Sequence, residues 1–268
     1  MITVKRIDSI EGIKELIFEQ TYNATIDRTR SSYFYRGMPD AEYKLMTSLS
    51  RNCKELYSEL EQPLLDNFIK YVRIEDPTIN ESIWKAMVIG QHYGLPTRLL
   101  DWTHSVLVAL HFANTEDNFD MLSKRDCVVW RIDMRDLNKN LPQKYVEYLR
   151  SKKTFVFSLD GLAEVVESIS QYDADMGDSA MVCFEPPSVD QRIANQYSFF
   201  SVIPNGIADL EAFLESHTEN TVKYIIDKKL RWELRDILDQ FNINERMIYP
   251  GKAGIAKWLA RHYFVKTK

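Results

Sequence analysis

Apolar residues recur along this chain with two different periods. Over residues 56–72 they return every three or four positions (Leu60, Leu64, Leu65, Phe68, Ile69, Val72), the spacing that turns one face of an α-helix toward a core. The same spacing predicts helices over 9–22, 82–92, 104–114, 228–241 and 254–263. Ser9 and Thr103 stand where N-caps belong, and Gly94 with Pro96 stops the helix over 82–92. Short β-branched or aromatic runs predict strands over 3–7, 33–36, 127–132, 180–184, 197–203 and 221–226, and residues 97–102 read as extended.

Strands and helices follow one another without a regular one-to-one alternation. That order predicts an α+β fold, with mixed or antiparallel sheets and flanking helices, rather than a doubly wound parallel sheet. No Gly-rich phosphate-binding string is present, so the commonest nucleotide folds are not indicated. The 268 residues contain no repeat and no low-complexity linker. They read as one domain, with a core over 31–205 and a mainly helical C-terminal extension over 206–268.

Composition narrows the partners. A net charge of -5 offers no general attraction for nucleic acid or for an anionic membrane. No stretch approaches the roughly 20 apolar residues that span a bilayer. The opening MITVKRIDSIEGIKELI has no long apolar core, and Cys53, Cys127 and Cys183 are odd in number and widely spaced. Reduced thiols and a cytoplasmic location are expected.

Polar chemistry is concentrated in two places, residues 33–37 (YFYRG) and residues 91–113 (QHYGLPTRLLDWTHSVLVALHFA). Arg36, at a strand end beside Gly37, can fork onto a diphosphate while Gly37 lets the ligand approach the backbone. Equally, Arg36 can pair with a carboxylate, Asp101 being the obvious partner. Alternation along an extended segment puts Asp101 and Thr103 on one face and Arg98 and Leu100 on the other. A ligand site and a plain strand-to-helix junction, with Asp101 or Thr103 capping and Trp102 plugging the core, both satisfy that pattern. His92 can touch a ribose or act as acid or base, or be a satisfied structural histidine. Tyr35, Tyr93 and Trp102 offer rings for stacking, though aromatics are more often core. The five histidines are too dispersed for a metal cage, so no metal is expected.

Tyr35-Arg36-Gly37, the block 48–51 and the block 94–103 (GLPTRLLDWT) together resemble the FRG domain family, named for a Phe-Arg-Gly triplet. The resemblance covers residues 34–113, with Arg192, Gln196 and Phe199 fitting a later Arg…Gln…Phe pattern. A second likeness is to ADP-ribosyltransferases of the arginine-motif class. Tyr35-Arg36-Gly37 resembles their first motif, and Asp101-Trp102-Thr103 followed by ALHFA over 109–113 resembles their second. Where those enzymes place a catalytic Glu, the matching residue here is Gln196, which can hydrogen-bond a sugar but carries no charge. The likeness implies NAD as substrate and Arg36, Asp101 and Gln196 as the catalytic group. Tyr35, Gly37, His92, Tyr93, Arg98, Trp102 and Thr103 would line the dinucleotide site. It implies an ADP-ribosyltransferase or NAD glycohydrolase acting as a toxin or phage-defence effector, on a macromolecular acceptor that the residues do not identify. A nucleotide- or partner-binding module without turnover is the alternative.

Overall fold

The computed structural model describes residues 1–187 and 191–266. Its strands are β1 (Thr3–Ile7), β2 (Tyr22–Asn23), β3 (Arg28–Thr29), β4 (Tyr33–Met38), β5 (Leu99–Thr103), β6 (Cys127–Asp133), β7 (Phe157–Ser158), β8 (Val182–Glu185), β9 (Ser198–Val202) and β10 (Val222–Ile226). β2 and β3 form a separate small hairpin. The other eight make one mixed sheet in the order β1-β10-β6-β4-β5-β9-β8-β7. The two outermost pairs, β1 with β10 and β7 with β8, are parallel, and every pair between them is antiparallel. Helices flank this mixed sheet, as the irregular order of elements along the chain predicts. Residues 3–7 and 222–226 supply β1 and β10, so the sheet extends beyond the segment 31–205.

Alternation along the strands sorts side chains between two faces. Phe34, Leu100, Trp102, Val128, Trp130, Ile132, Met181 and Cys183 share one core cluster, on one side of the sheet. On the other side the sheet is covered in two halves. Tyr35, Cys127, Val129, Val222, Tyr224 and Ile226 pack beneath the Ile10–Ile17, Val106–Ala113 and Arg231–Gln240 helices. Leu99, Val182, Phe184, Phe200 and Val202 pack with Trp84, Tyr145 and Tyr172 from the Ile83–His92, Gln143–Lys152 and Ile169–Met176 helices. β4 belongs to the first half and β5 to the second, so the boundary between the two cores runs between these strands. Among the described residues no helix is long and apolar enough to cross a membrane.

Several boundaries shift for local reasons. The first helix stops at Ile17, because only Ile13 and Leu16 of it are buried and Phe18 is 74% exposed. Ser105, not Thr103, caps the Val106–Ala113 helix, its hydroxyl accepting from the Val108 amide at 3.3 Å. The helices Gln143–Lys152, Leu159–Val165, Ile169–Met176 and Leu210–His217 are short. They lie in stretches to which the apolar spacing assigned no helix. Ile83–His92 ends in a tight left-handed turn: Gly94 has φ +90°, its amide donates to Gln91 O, and the Leu95 amide donates to Gly90 O at 2.8 Å. That turn sends the chain back along the helix into β5.

Candidate functional site

β4 pairs with β6 along its whole length, and β5 pairs with β9 along its own. Between β4 and β5 the register holds at one position only, Tyr35 opposite Thr103. Beyond it the two strands part, and the next residues inward are Arg36 and Gly37 on one side, Trp102 and Asp101 on the other. The Arg36 guanidinium crosses the gap. Its Nη1 donates to the backbone oxygen of Asp101 at 2.7 Å and lies 3.6 Å from the Asp101 carboxylate. A side chain thus supplies the bond that a strand would otherwise make.

The split opens into a cavity of about 210 Å³ bordered by Tyr35, Arg36, Gly37, Asp101, Trp102, Thr103, Phe112, Arg192, Gln196 and Ser198. Six sequence-predicted residues from β4 and β5 therefore meet in one place, together with Gln196 from the end of the Gln191–Gln196 helix. The charge in it is mostly positive. Burial pulls the Arg36 guanidinium below its usual value, the Asp101 carboxylate opposes that, and the positive charge of Arg51 adds to it. Arg36 Nε is buried with no hydrogen-bond partner. Arg192 adds a second guanidinium, stacked 5.3 Å from the ring centre of Tyr249. Asp101 is exposed, and Gln91 Nε2 donates to its carboxylate at 3.2 Å while the Thr97 hydroxyl donates to the Gln91 carbonyl oxygen. The carboxylate is therefore held from both sides.

Other predicted contacts are redirected by packing. Tyr35 is only 1% exposed, so it offers a ligand no ring face, and burial pushes its phenol far above the usual range. Trp102 is 2% exposed and donates to the Ser201 hydroxyl at 2.9 Å, which makes it a core plug with a satisfied indole. The Thr103 hydroxyl is already committed, donating to Gln196 O at 2.7 Å and accepting from the Ser105 amide. It ties β5 to the helix that carries Gln196. Gly37 has a steric reason of its own: the Val106–Ala113 helix occupies the space where its side chain would be.

Three predicted residues do not border the cavity. Arg98 lies at the opposite end of β5, buried, where Glu61 and Asp173 clamp it and Asn205 Oδ1 accepts a further bond. Although burial works against its charge, the two carboxylates hold the guanidinium above its usual value. His92 and Tyr93 close the Ile83–His92 helix with their rings edge to face, and Tyr93 is 77% exposed. Sequence reasoning left Gln91, Phe112, Arg192 and Ser198 without a site role. Gln91 and Phe112 sit inside the dense block 91–113, Gln91 directly before His92 and Phe112 within the ALHFA segment, and Arg192 was visible only as part of a family pattern.

No curated protein and no solved structure matches this chain. Residues 31–121 match the family model described as the FRG domain, and they supply both strands of the split and the Val106–Ala113 helix packed on it. The cavity between β4 and β5 is thus bordered chiefly by the segment that matches the FRG domain.

Proposed function

We propose that the cavity between β4 and β5 binds the nicotinamide end of NAD and that the protein is an ADP-ribosyltransferase or NAD glycohydrolase. The observation that carries this reading is Arg36: a part-buried guanidinium at the strand split, with an unpartnered Nε and, among the described residues, an exposed carboxylate as its only ion-pair partner. Such a group trades a loose internal pair for a diphosphate, which accepts two parallel N–H bonds. The exchange frees Asp101. At about 210 Å³ the cavity falls below the ~300–1,000 Å³ of sites that engulf a drug-sized ligand, so it takes one ring and its sugar while the rest lies across the mouth.

The reaction then needs little from the protein beyond placement and charge. The bond between the ribose anomeric carbon and the nicotinamide nitrogen breaks, its electron pair leaving with nicotinamide. The Asp101 carboxylate steadies the developing positive charge on the sugar and accepts the proton of the attacking hydroxyl, from water or a macromolecular acceptor. Gln196 contributes a neutral contact to the sugar. An enzyme of this kind that spends NAD would serve as a toxin or a phage-defence effector.

A second reading has its own support. Gln196 is uncharged, and its Nε2 already donates to Ile248 O at 3.3 Å. A site so equipped suits binding without turnover. Incubation with NAD labelled in both halves separates the two. Released nicotinamide, abolished by Arg36→Ala and reduced by Gln196→Ala, supports the enzyme. Saturable binding lost in Arg36→Ala with no release at any protein concentration supports the module, and wild-type protein that neither binds nor cleaves NAD ends both.

A further inference from the structure

Arg192 comes from outside the segment 31–121 and enters the cavity from the far side of β5. Among the described residues it has no carboxylate partner, whereas the buried Arg98, Arg231, Arg235 and Arg261 all do. What holds it instead is the face of Tyr249, 5.3 Å from the ring centre. Tyr249 is itself anchored. It follows the Glu245–Ile248 helix, whose Met247 O accepts from Asn195 Nδ2 at 2.7 Å and whose Ile248 O accepts from Gln196 Nε2. Buried Arg261 pins that helix from behind, donating to Glu245 at 2.6 Å and to both oxygens of Asp239 at 2.8 and 2.7 Å. The Gln191–Gln196 helix is therefore tied to the C-terminal helices, with Arg192 where they meet.

We propose that Arg192 on Tyr249 is a second anion subsite, which with Arg36 makes the cavity selective for a diphosphate over a single phosphate. The proposal deepens the nucleotide reading above and rests on it for the identity of the whole ligand, but not for the anion. Two guanidiniums reach the cavity from elements on opposite sides of β5, and among the described lining residues the one carboxylate sits beside Arg36, not Arg192. One phosphate engages one guanidinium. Two linked phosphates can engage both, and the planar fork of each arginine suits that contact. Tyr249 acts as a positioning residue: its ring keeps the exposed guanidinium from collapsing onto a surface carboxylate.

Titration of the full-length protein with inorganic pyrophosphate, inorganic phosphate and NAD tests this. Wild-type protein is expected to prefer pyrophosphate to phosphate. Arg192→Ala should weaken pyrophosphate binding roughly 10- to 100-fold, the range of one charge-assisted contact, and leave phosphate nearly unchanged. Tyr249→Leu should weaken pyrophosphate roughly 2- to 5-fold, while Tyr249→Phe, which keeps the ring, should restore most of it. Arg192 is exposed, so its variant folds and thermal melting confirms that. Unaltered pyrophosphate affinity in Arg192→Ala overturns the subsite, as does wild-type protein that does not bind pyrophosphate. Arg192-dependent pyrophosphate binding without any NAD binding upholds the subsite and overturns the NAD reading instead.

Discussion

Gly37 and Ala109 meet backbone to backbone: a Cβ on Gly37 would stand 1.8 Å from the Ala109 carbonyl oxygen and 2.5 Å from the Ala113 amide nitrogen. This contact seats the Val106–Ala113 helix on β4 and brings Phe112 to the cavity. Because the opposing atoms are backbone, no side chain can swing aside. Gly37→Ala should cost about 3 kcal/mol or more, beyond ordinary overpacking, and this would appear as a lowered denaturant midpoint. A midpoint equal to wild type would mean the helix moves away without penalty.

Asp101→Asn separates charge from shape at the split. The carboxylate competes with any anion for Arg36, and, since it is exposed, that competition is worth at most ~1 kcal/mol. Pyrophosphate should therefore bind roughly 2- to 5-fold more tightly to the variant. Turnover of NAD, if Asp101 steadies the sugar cation, should fall by about two orders of magnitude. Affinity and rate measured on one preparation must move in opposite directions. A parallel fall in both would make Asp101 a support for Arg36 and nothing more.

Arg98 belongs to the core and not to the cavity. Its side chain and that of Glu61 are 3% and 4% exposed, so Arg98→Ala strips the buried Glu61 carboxylate, and the part-buried Asp173 beside it, of their shared cation. A loss of about 3–5 kcal/mol is expected, measured by chemical denaturation. Any ligand affinity of the folded fraction should match wild type. An affinity loss larger than the loss of folded protein would return Arg98 to the site.

His111 gives stability a pH dependence. Its ring is fully buried, Nδ1 accepts from Arg235 Nη1 at 2.9 Å, and burial, with the charges of Arg235 and Arg261, holds its pKa well below 6.5. The unfolded chain takes up this proton near pH 6.5 and the folded chain does not. Between those two values the unfolded state holds more protons, so stability is complete above pH 7 and falls as the pH drops through 6.5. The contribution approaches ~1.4 kcal/mol per pH unit. Denaturation midpoints from pH 7.5 to about 5 should fall less steeply for His111→Gln than for wild type. Parallel curves would assign the acid sensitivity to other groups.

How far these features could be read beforehand varies with their range along the chain. β1 at Thr3–Ile7 and the Tyr57–Val72 helix agree with their predicted spans to within one residue, since period and capping are local properties. Thr103 misled by two residues: its hydroxyl resembles a cap but is drawn to Gln196 O, 93 residues away, while Ser105 caps the helix. The block 91–113 stood out because polar groups so dense beside an apolar helix need a reason. Its interior roles did not, because Tyr35 and Trp102 look alike as letters whether their rings are sealed or open.

By itself, then, the sequence determined the α+β class, the strand that ends in Arg36-Gly37, the segment that carries Asp101, and the FRG pattern joining them. The tertiary structure alone decided which arginine does what. Arg36 and Arg98 both sit in motif segments at strands, but Arg98 is enclosed by Glu61 and Asp173, 37 and 75 residues distant, whereas Arg36 faces the gap left where β4 and β5 pair at one position. Arg192 became a wall of the cavity only when the C-terminal helices docked beside it. Charge partners are chosen by long-range packing, and no local periodicity encodes which distant carboxylate will be buried against a given guanidinium.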